Sequence, residues 1–231
     1  MALKVGWRPF QPSQPAQKLP LLALLYLLAP LALWLVGCLN LQSLSPKFWG
    51  ELGIGLLVGA VSLLASFGMQ LRLGWLQMDT SLTLKLPDAL FLLVLSLWIG
   101  WTEELVFRGF MQDQLQQELP IWVAAALISL WFAALHGLWD GREVVPQLPG
   151  LWLMGMVLVL ARQTADGDLS LAWGLHSGWV WAIGTLDGAM RSSGRHPDWL
   201  TGLNDRPLAG FMGLLFLLIT AGGLWWVMRL A

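Results

Sequence analysis

Charge is scarce in this chain. Only 12% of its 231 residues are Asp, Glu, Lys or Arg, where a soluble domain carries roughly 25%. With 57% hydrophobic residues and a mean hydropathy of +0.65, the chain has too little polar surface for a soluble exterior and reads as an integral membrane protein. A basic excess is missing too: the formal net charge is -1 and no basic stripe exists, so no nucleic-acid partner is expected. Cysteine is nearly absent. The single Cys38 lies in an apolar run, which excludes an intrachain disulfide and a cysteine-based metal cluster and leaves packing as its expected role. There is no repeat with a period of about 20 to 50 residues, and no low-complexity segment beyond a Gln- and Pro-tinged tail. A cleavable signal peptide is not expected either. The polar stretch Met1 to Pro20, with Lys4, Arg8 and Lys18, runs into an apolar segment that is too long and lacks a small-residue cleavage site.

What is present is a succession of apolar runs at about 19–40, 51–70, 87–102, 120–139, 149–163, 169–187 and 208–229, where a crossing takes ~20 residues. The fold class that follows is an all-α membrane protein, a polytopic bundle of about seven transmembrane helices (six to eight). The third run continues past its apolar part into Arg108 to Glu118, polar but helix-forming, which predicts one long helix from about Pro87 to Leu119. Turn and breaker chemistry marks the connections: Ser45-Pro46, Pro87-Asp88, Leu119-Pro120, Asp140-Gly141, Pro146, Pro149 and Asp166-Gly167-Asp168.

The chain divides into a polar tail (1–18), N-terminal transmembrane helices (19–86), a central core (87–187), a polar loop (188–207) and a C-terminal transmembrane helix (208–231). Loops on the N-terminal side hold Lys4, Arg8, Lys18, Arg72, Lys85, Arg142, Arg191, Arg195 and Arg206, against Lys47, Arg162 and Arg229 opposite. The positive-inside rule therefore predicts a multi-pass protein with a cytoplasmic N-terminus, with the lipid bilayer as its first partner. Trp49, Trp75, Trp101, Trp122, Trp139, Trp199, Trp225 and Trp226 lie near span ends and are expected as interfacial anchors.

Three short segments put polar groups where an apolar helix should have none: Glu103, Glu104 and Arg108; Phe132 to His136; and His176. An ionisable residue near the centre of a span costs roughly 2.5 to 3.5 kcal/mol to insert, so each marks a candidate functional site. Glu103 and His136 are symmetric about Leu119-Pro120. At 1.5 Å rise per residue both lie ~24 Å from that turn, and a tight hairpin would let them face each other. Glu104 and Arg108, at i and i+4, share a face and are expected to pair. Glu103 then points elsewhere, about 100° round the helix. Phe132, one turn before His136, is expected to wall the site. His176 lies in Gly174-Leu-His-Ser-Gly178, a small-xxx-small pattern that lets helix backbones approach closely. His196, in the polar loop, is expected to be solvated.

A carboxylate and two imidazoles converging in a dry cavity can activate water and stabilise an oxyanion, which points to hydrolysis. Glu plus two His is also a catalytic zinc ligand set, so zinc is a possible cofactor, and none is required if the glutamate acts directly. A third reading is a polar network that only fixes helix packing.

At these residues the chain resembles the CAAX-protease and bacteriocin-processing (CPBP) family of intramembrane proteases, which includes the prenyl-protein endopeptidases. That family is marked by E-E-x-x-x-R, F-x-x-x-H and H-x-x-x-N on successive helices. The first is complete as Glu103, Glu104 and Arg108, and the second as Phe132 and His136. In the third, His176 is followed by Val180 where the family has Asn. The resemblance covers about residues 87 to 187 and makes that core the catalytic one. It implies that Glu103 and His136 activate the water and that His176 stabilises the oxyanion. Glu104 and Arg108 support them, and the substrate is a membrane-associated protein or peptide. No H-E-x-x-H, G-x-S-G or G-x-G-D motif points to another intramembrane protease class, and Asp168 and Asp187 read as helix-end caps or solvated charges.

Val180 cannot donate a hydrogen bond, and losing one oxyanion donor costs ~10²–10³ in rate. The competing reading is therefore a catalytically weak or inactive member acting as a membrane scaffold or immunity-type protein. An ion or proton pathway is weaker still, because only one helix carries deep carboxylates.

Overall fold

The computed structural model describes residues 15–37, 46–82, 84–186 and 188–230. Cys38, Ser45, Asp187 and the tail residues Lys4 and Arg8, each read from the sequence above, lie outside the described residues. The helices are α1 (Pro15–Leu35), α2 (Pro46–Arg72), α3 (Leu86–Glu104), α4 (Gln112–Leu115), α5 (Ile121–Asp140), α6 (Leu148–Thr164), α7 (Ser170–Leu186), α8 (Asp198–Thr201) and α9 (Phe211–Leu230). Seven of these are long, and they occupy the seven apolar runs. Among the described residues, five helical stretches are long and apolar enough to cross a membrane, the fourth of which, Ile121–Thr164, contains both α5 and α6.

The predicted long third helix is present but not uniform. α3 passes through a π-helical segment, Leu105–Met111, before α4 ends the helical run. Pro87 at the start of α3, with Asp88 in its first turn, is the expected opening, since proline at that position forfeits no helical hydrogen bond. Asp168 does act as a cap: its Oδ1 accepts the Ser170 N–H at 2.7 Å, at the start of α7.

The tightest contact is between α2 and α7. A Cβ on Gly55 would come 2.8 Å from the Leu175 nitrogen, and one on Gly174 would come 2.8 Å from the Leu56 nitrogen. Gly178 against Ala60, also at 2.8 Å, repeats the pattern, and Gly59 closes it from the other side. Two small-xxx-small patterns thus interlock, and only hydrogen fits at each crossing.

Three indoles tie neighbouring helices by donating to carbonyls: Trp173 Nε1 to Leu97, Trp181 Nε1 to Ala89 and Trp152 Nε1 to Ala126, at 2.8, 2.9 and 3.1 Å. The long connection after α7 is partly ordered, because β2 (Met190–Ser192) pairs antiparallel with β1 (Leu76–Met78). His196 is not simply solvated: its Nε2 lies 2.6 Å from the Trp75 carbonyl and pins the loop to the same end of the bundle.

α1 is attached differently. Most of its apolar side chains face outward, among them Leu24, Leu27, Leu28 and Leu31, as expected of a helix at the lipid boundary. Polar contacts near its start and middle, Lys18 to Asp140 at 2.6 Å and Tyr26 to Glu103, join it to α5 and α3.

Candidate active site

Glu103 and Glu104 are adjacent at the end of α3, and their environments separate them. Glu104 is enclosed, its side chain 1% exposed. Its Oε1 accepts from Arg108 Nη1 at 3.0 Å and lies 2.8 Å from His176 Nδ1. Arg108 is fully buried in the π-helical segment and lies over the Phe132 ring at 4.6 Å and near the Phe107 ring at 5.9 Å. The aromatic faces and the one carboxylate bond offset part of this desolvated charge, while Arg108 Nε and Nη2 and Glu104 Oε2 have no hydrogen-bond partner among the described residues. The expected Glu104–Arg108 pair is therefore present. The π-helical segment is braced from outside by Arg162, which donates to the Arg108 carbonyl and to Asp113 Oδ1, the latter at 2.7 Å.

Glu103 is 16% exposed and turns the other way, towards a cavity of about 330 Å³. α1 contributes Lys18, Leu22, Leu25, Tyr26 and Ala29 to the walls. The third helical run contributes Thr102, Glu103, Val106 and Phe107, and α5 contributes Phe132, Leu135, His136, Leu138, Trp139 and Asp140. Glu103 and His136 thus line one cavity, as the hairpin geometry predicts, and Phe132 does wall it. The His136 and Phe132 rings meet edge to face with centroids 4.8 Å apart.

His136 Nδ1 lies 2.9 Å from the Phe132 carbonyl. A carbonyl only accepts, so Nδ1 carries the proton and Nε2 keeps a lone pair.

His176 is buried behind Glu103. Its Nδ1 faces Glu104 and its Nε2 lies 3.5 Å from Glu103 Oε2, so one imidazole bridges the two carboxylates. The resemblance implies an oxyanion role for this ring; here both nitrogens face acidic oxygens. Of the two side chains near Val180 that could replace the family's Asn, Trp181 spends its N–H on the Ala89 carbonyl. Ser177 Oγ packs against Gly100, where a Cβ would collide with it.

Sequence reasoning missed Tyr26. Its hydroxyl donates to Glu103 Oε1, and the available signal was that it is the chain's only tyrosine, set in an otherwise apolar run. Gly55 and Gly59 were missed as well, although their spacing repeats that of Gly174 and Gly178.

Among the described residues no group of three or more His, Cys, Asp or Glu is placed to hold a metal ion. Both nitrogens of His176 face carboxylates and Nδ1 of His136 faces a carbonyl. Glu103 and His136 line the cavity, and His176 Nε2 lies 3.5 Å from Glu103 Oε2.

A multi-pass helical fold with two carboxylates, two imidazoles and a guanidinium gathered beside one cavity defines an integral membrane protein with a candidate hydrolytic centre. Over the middle of the chain, residues 85–182 match the family model described as type II CAAX prenyl endopeptidase, Rce1-like, in agreement with the resemblance that the motifs carry. No curated protein and no solved structure matches.

Proposed function

We propose that this protein is an intramembrane endopeptidase that hydrolyses a peptide bond of a membrane-associated protein or peptide. The family match supports a CAAX-type protease in general. The observation that carries the finer reading is the contrast between the two carboxylates: Glu103 is open to the cavity, while Glu104 is sealed against Arg108 and His176.

Glu103 is the general base. It takes a proton from a water in the cavity, and the resulting hydroxide attacks the scissile carbonyl. His136 assists through Nε2, whose lone pair can accept from that water because Nδ1 is committed to Phe132. His176, protonated on both nitrogens between the two carboxylates, donates Nδ1–H to Glu104 and presents Nε2–H to the oxyanion, and the protonated Glu103 passes its proton to the amine leaving group as the C–N bond breaks. Glu104 and Arg108 keep His176 and the end of α3 in register. Most of the cavity wall is apolar, and a low local dielectric strengthens each of these interactions. The direct glutamate route needs no cofactor. Chelator treatment is therefore expected to leave turnover unchanged.

Purified protein in proteoliposomes, given a membrane-delivered peptide with a CAAX-type C-terminus, should release a product that mass spectrometry can map. Glu103→Ala and His136→Ala should abolish that product while the helices remain folded. Full processing by both variants would remove the reading.

Val180 favours one competing reading. It follows His176 by one turn and supplies no donor, so a weak or inactive scaffold or immunity-type protein is the alternative. Val180→Asn should raise cleavage if the rest of the machinery works, and should change nothing in a scaffold.

A further inference from the structure

Tyr26 makes a contact that none of the motifs accounts for. It sits on α1, outside the matched segment 85–182, on the wall of the cavity that Glu103 also lines. Its hydroxyl donates to Glu103 Oε1, and since a carboxylate only accepts, the phenol must be the donor. The other oxygen of Glu103 faces His176 Nε2 at 3.5 Å. Two helices, α1 and α7, therefore address the two oxygens of one carboxylate. This leaves the group little freedom about its terminal torsion, which is otherwise broad.

A purely structural tie would look different. Trp152, Trp173 and Trp181 link helices by donating to backbone carbonyls, and α1 is already joined to α5 by Lys18 and Asp140. Tyr26 instead uses its only polar atom on the side chain that opens to the cavity.

We propose that Tyr26 is a positioning residue: its hydroxyl fixes the Glu103 carboxylate in the orientation from which it meets water, so that α1 completes a site built otherwise on α3, α5 and α7. This rests on the reading of Glu103 as the water-activating base.

Because Tyr26 is the only tyrosine in the chain, growth on fluorinated tyrosines of graded phenol acidity alters position 26 alone, and the hydroxyl remains in place if Tyr26→Phe fails to fold. In proteoliposomes with a membrane-delivered peptide, Tyr26→Phe should lower kcat about 10- to 100-fold with KM changed less than about twofold, the pattern of an interaction made in the transition state and not in substrate binding. Across the fluorotyrosine series kcat should vary steadily with phenol acidity, which a packing role would not produce. Glu103→Gln serves as the control. If it abolishes cleavage while Tyr26→Phe keeps wild-type kcat, changes KM alone, or the fluorotyrosine series is flat, the role of Tyr26 is overturned and the reading of Glu103 survives. If Glu103→Gln cleaves normally, that reading fails and the role of Tyr26 falls with it.

Discussion

Two helices reach Glu103, and they are held in opposite ways. α7 is clamped to α2 backbone to backbone through Gly55, Gly59, Gly174 and Gly178, with no room for a side chain at the crossing. α1 turns most of its apolar surface outward, buries Leu33, and has Tyr26–Glu103 and Lys18–Asp140 among its polar contacts with the bundle. Stability and chemistry should therefore separate: changes at the α2–α7 glycine crossing should damage the fold before the site, whereas changes on α1 should damage the site and spare the fold.

The largest effect is expected at the clamp. Gly178→Val puts carbon where the Ala60 nitrogen is 2.8 Å from an added Cβ. Overpacking against a flexible side chain costs ~1–3 kcal/mol, and backbone on backbone should exceed that. Loss of the monodisperse species in size-exclusion chromatography would show it, and a normally folded Gly178→Val would break the comparison.

Next is the buried ion pair beside α7. Arg108→Ala leaves Glu104 enclosed and without its cation, and breaking such a pair by removing one partner costs ~3–5 kcal/mol. Thermal unfolding should register that as a clear drop in midpoint.

On α1, Lys18→Ala removes a half-exposed pair with Asp140 worth ~0–1 kcal/mol. The melting midpoint should barely move. A large loss of stability would show that α1 is clamped after all.

The smallest effect lies on the connection leading into α7. Hydrogen bonding and charge from Lys47 hold the Asp166 carboxyl below its ordinary range. A depressed carboxyl contributes stability above its unfolded value and loses it as pH falls through the folded one. Asp166→Asn should therefore differ slightly from wild type at neutral pH, and the two melting curves should converge on acidification below the usual carboxylate range.

Much of this arrangement was legible in the sequence. The seven apolar runs carry the long helices, and the i,i+4 spacing of Glu104 and Arg108 carries their pair. The symmetry of Glu103 and His136 about Leu119-Pro120 carries the shared cavity. Less legible was whatever depends on helices far apart in the chain. Nothing near residue 26 signals that a phenol will meet a carboxylate 77 positions later. The glycines of α2 acquire meaning only when matched to those of α7. The π-helical segment at Leu105–Met111 leaves no period in the sequence to read, and the bridging of both carboxylates by His176 depends on where that segment sets the end of α3.

The most direct test of Glu103 as the reactive carboxylate compares two neutral isosteres in one cleavage assay. Purified Glu103→Gln and Glu104→Gln, reconstituted in proteoliposomes with a membrane-delivered peptide, are scored for product and for melting midpoint. Glu103→Gln should lose cleavage and keep the wild-type midpoint, while Glu104→Gln, which strips the charge partner of buried Arg108, should lower the midpoint. Cleavage by Glu103→Gln at the wild-type rate would contradict the account.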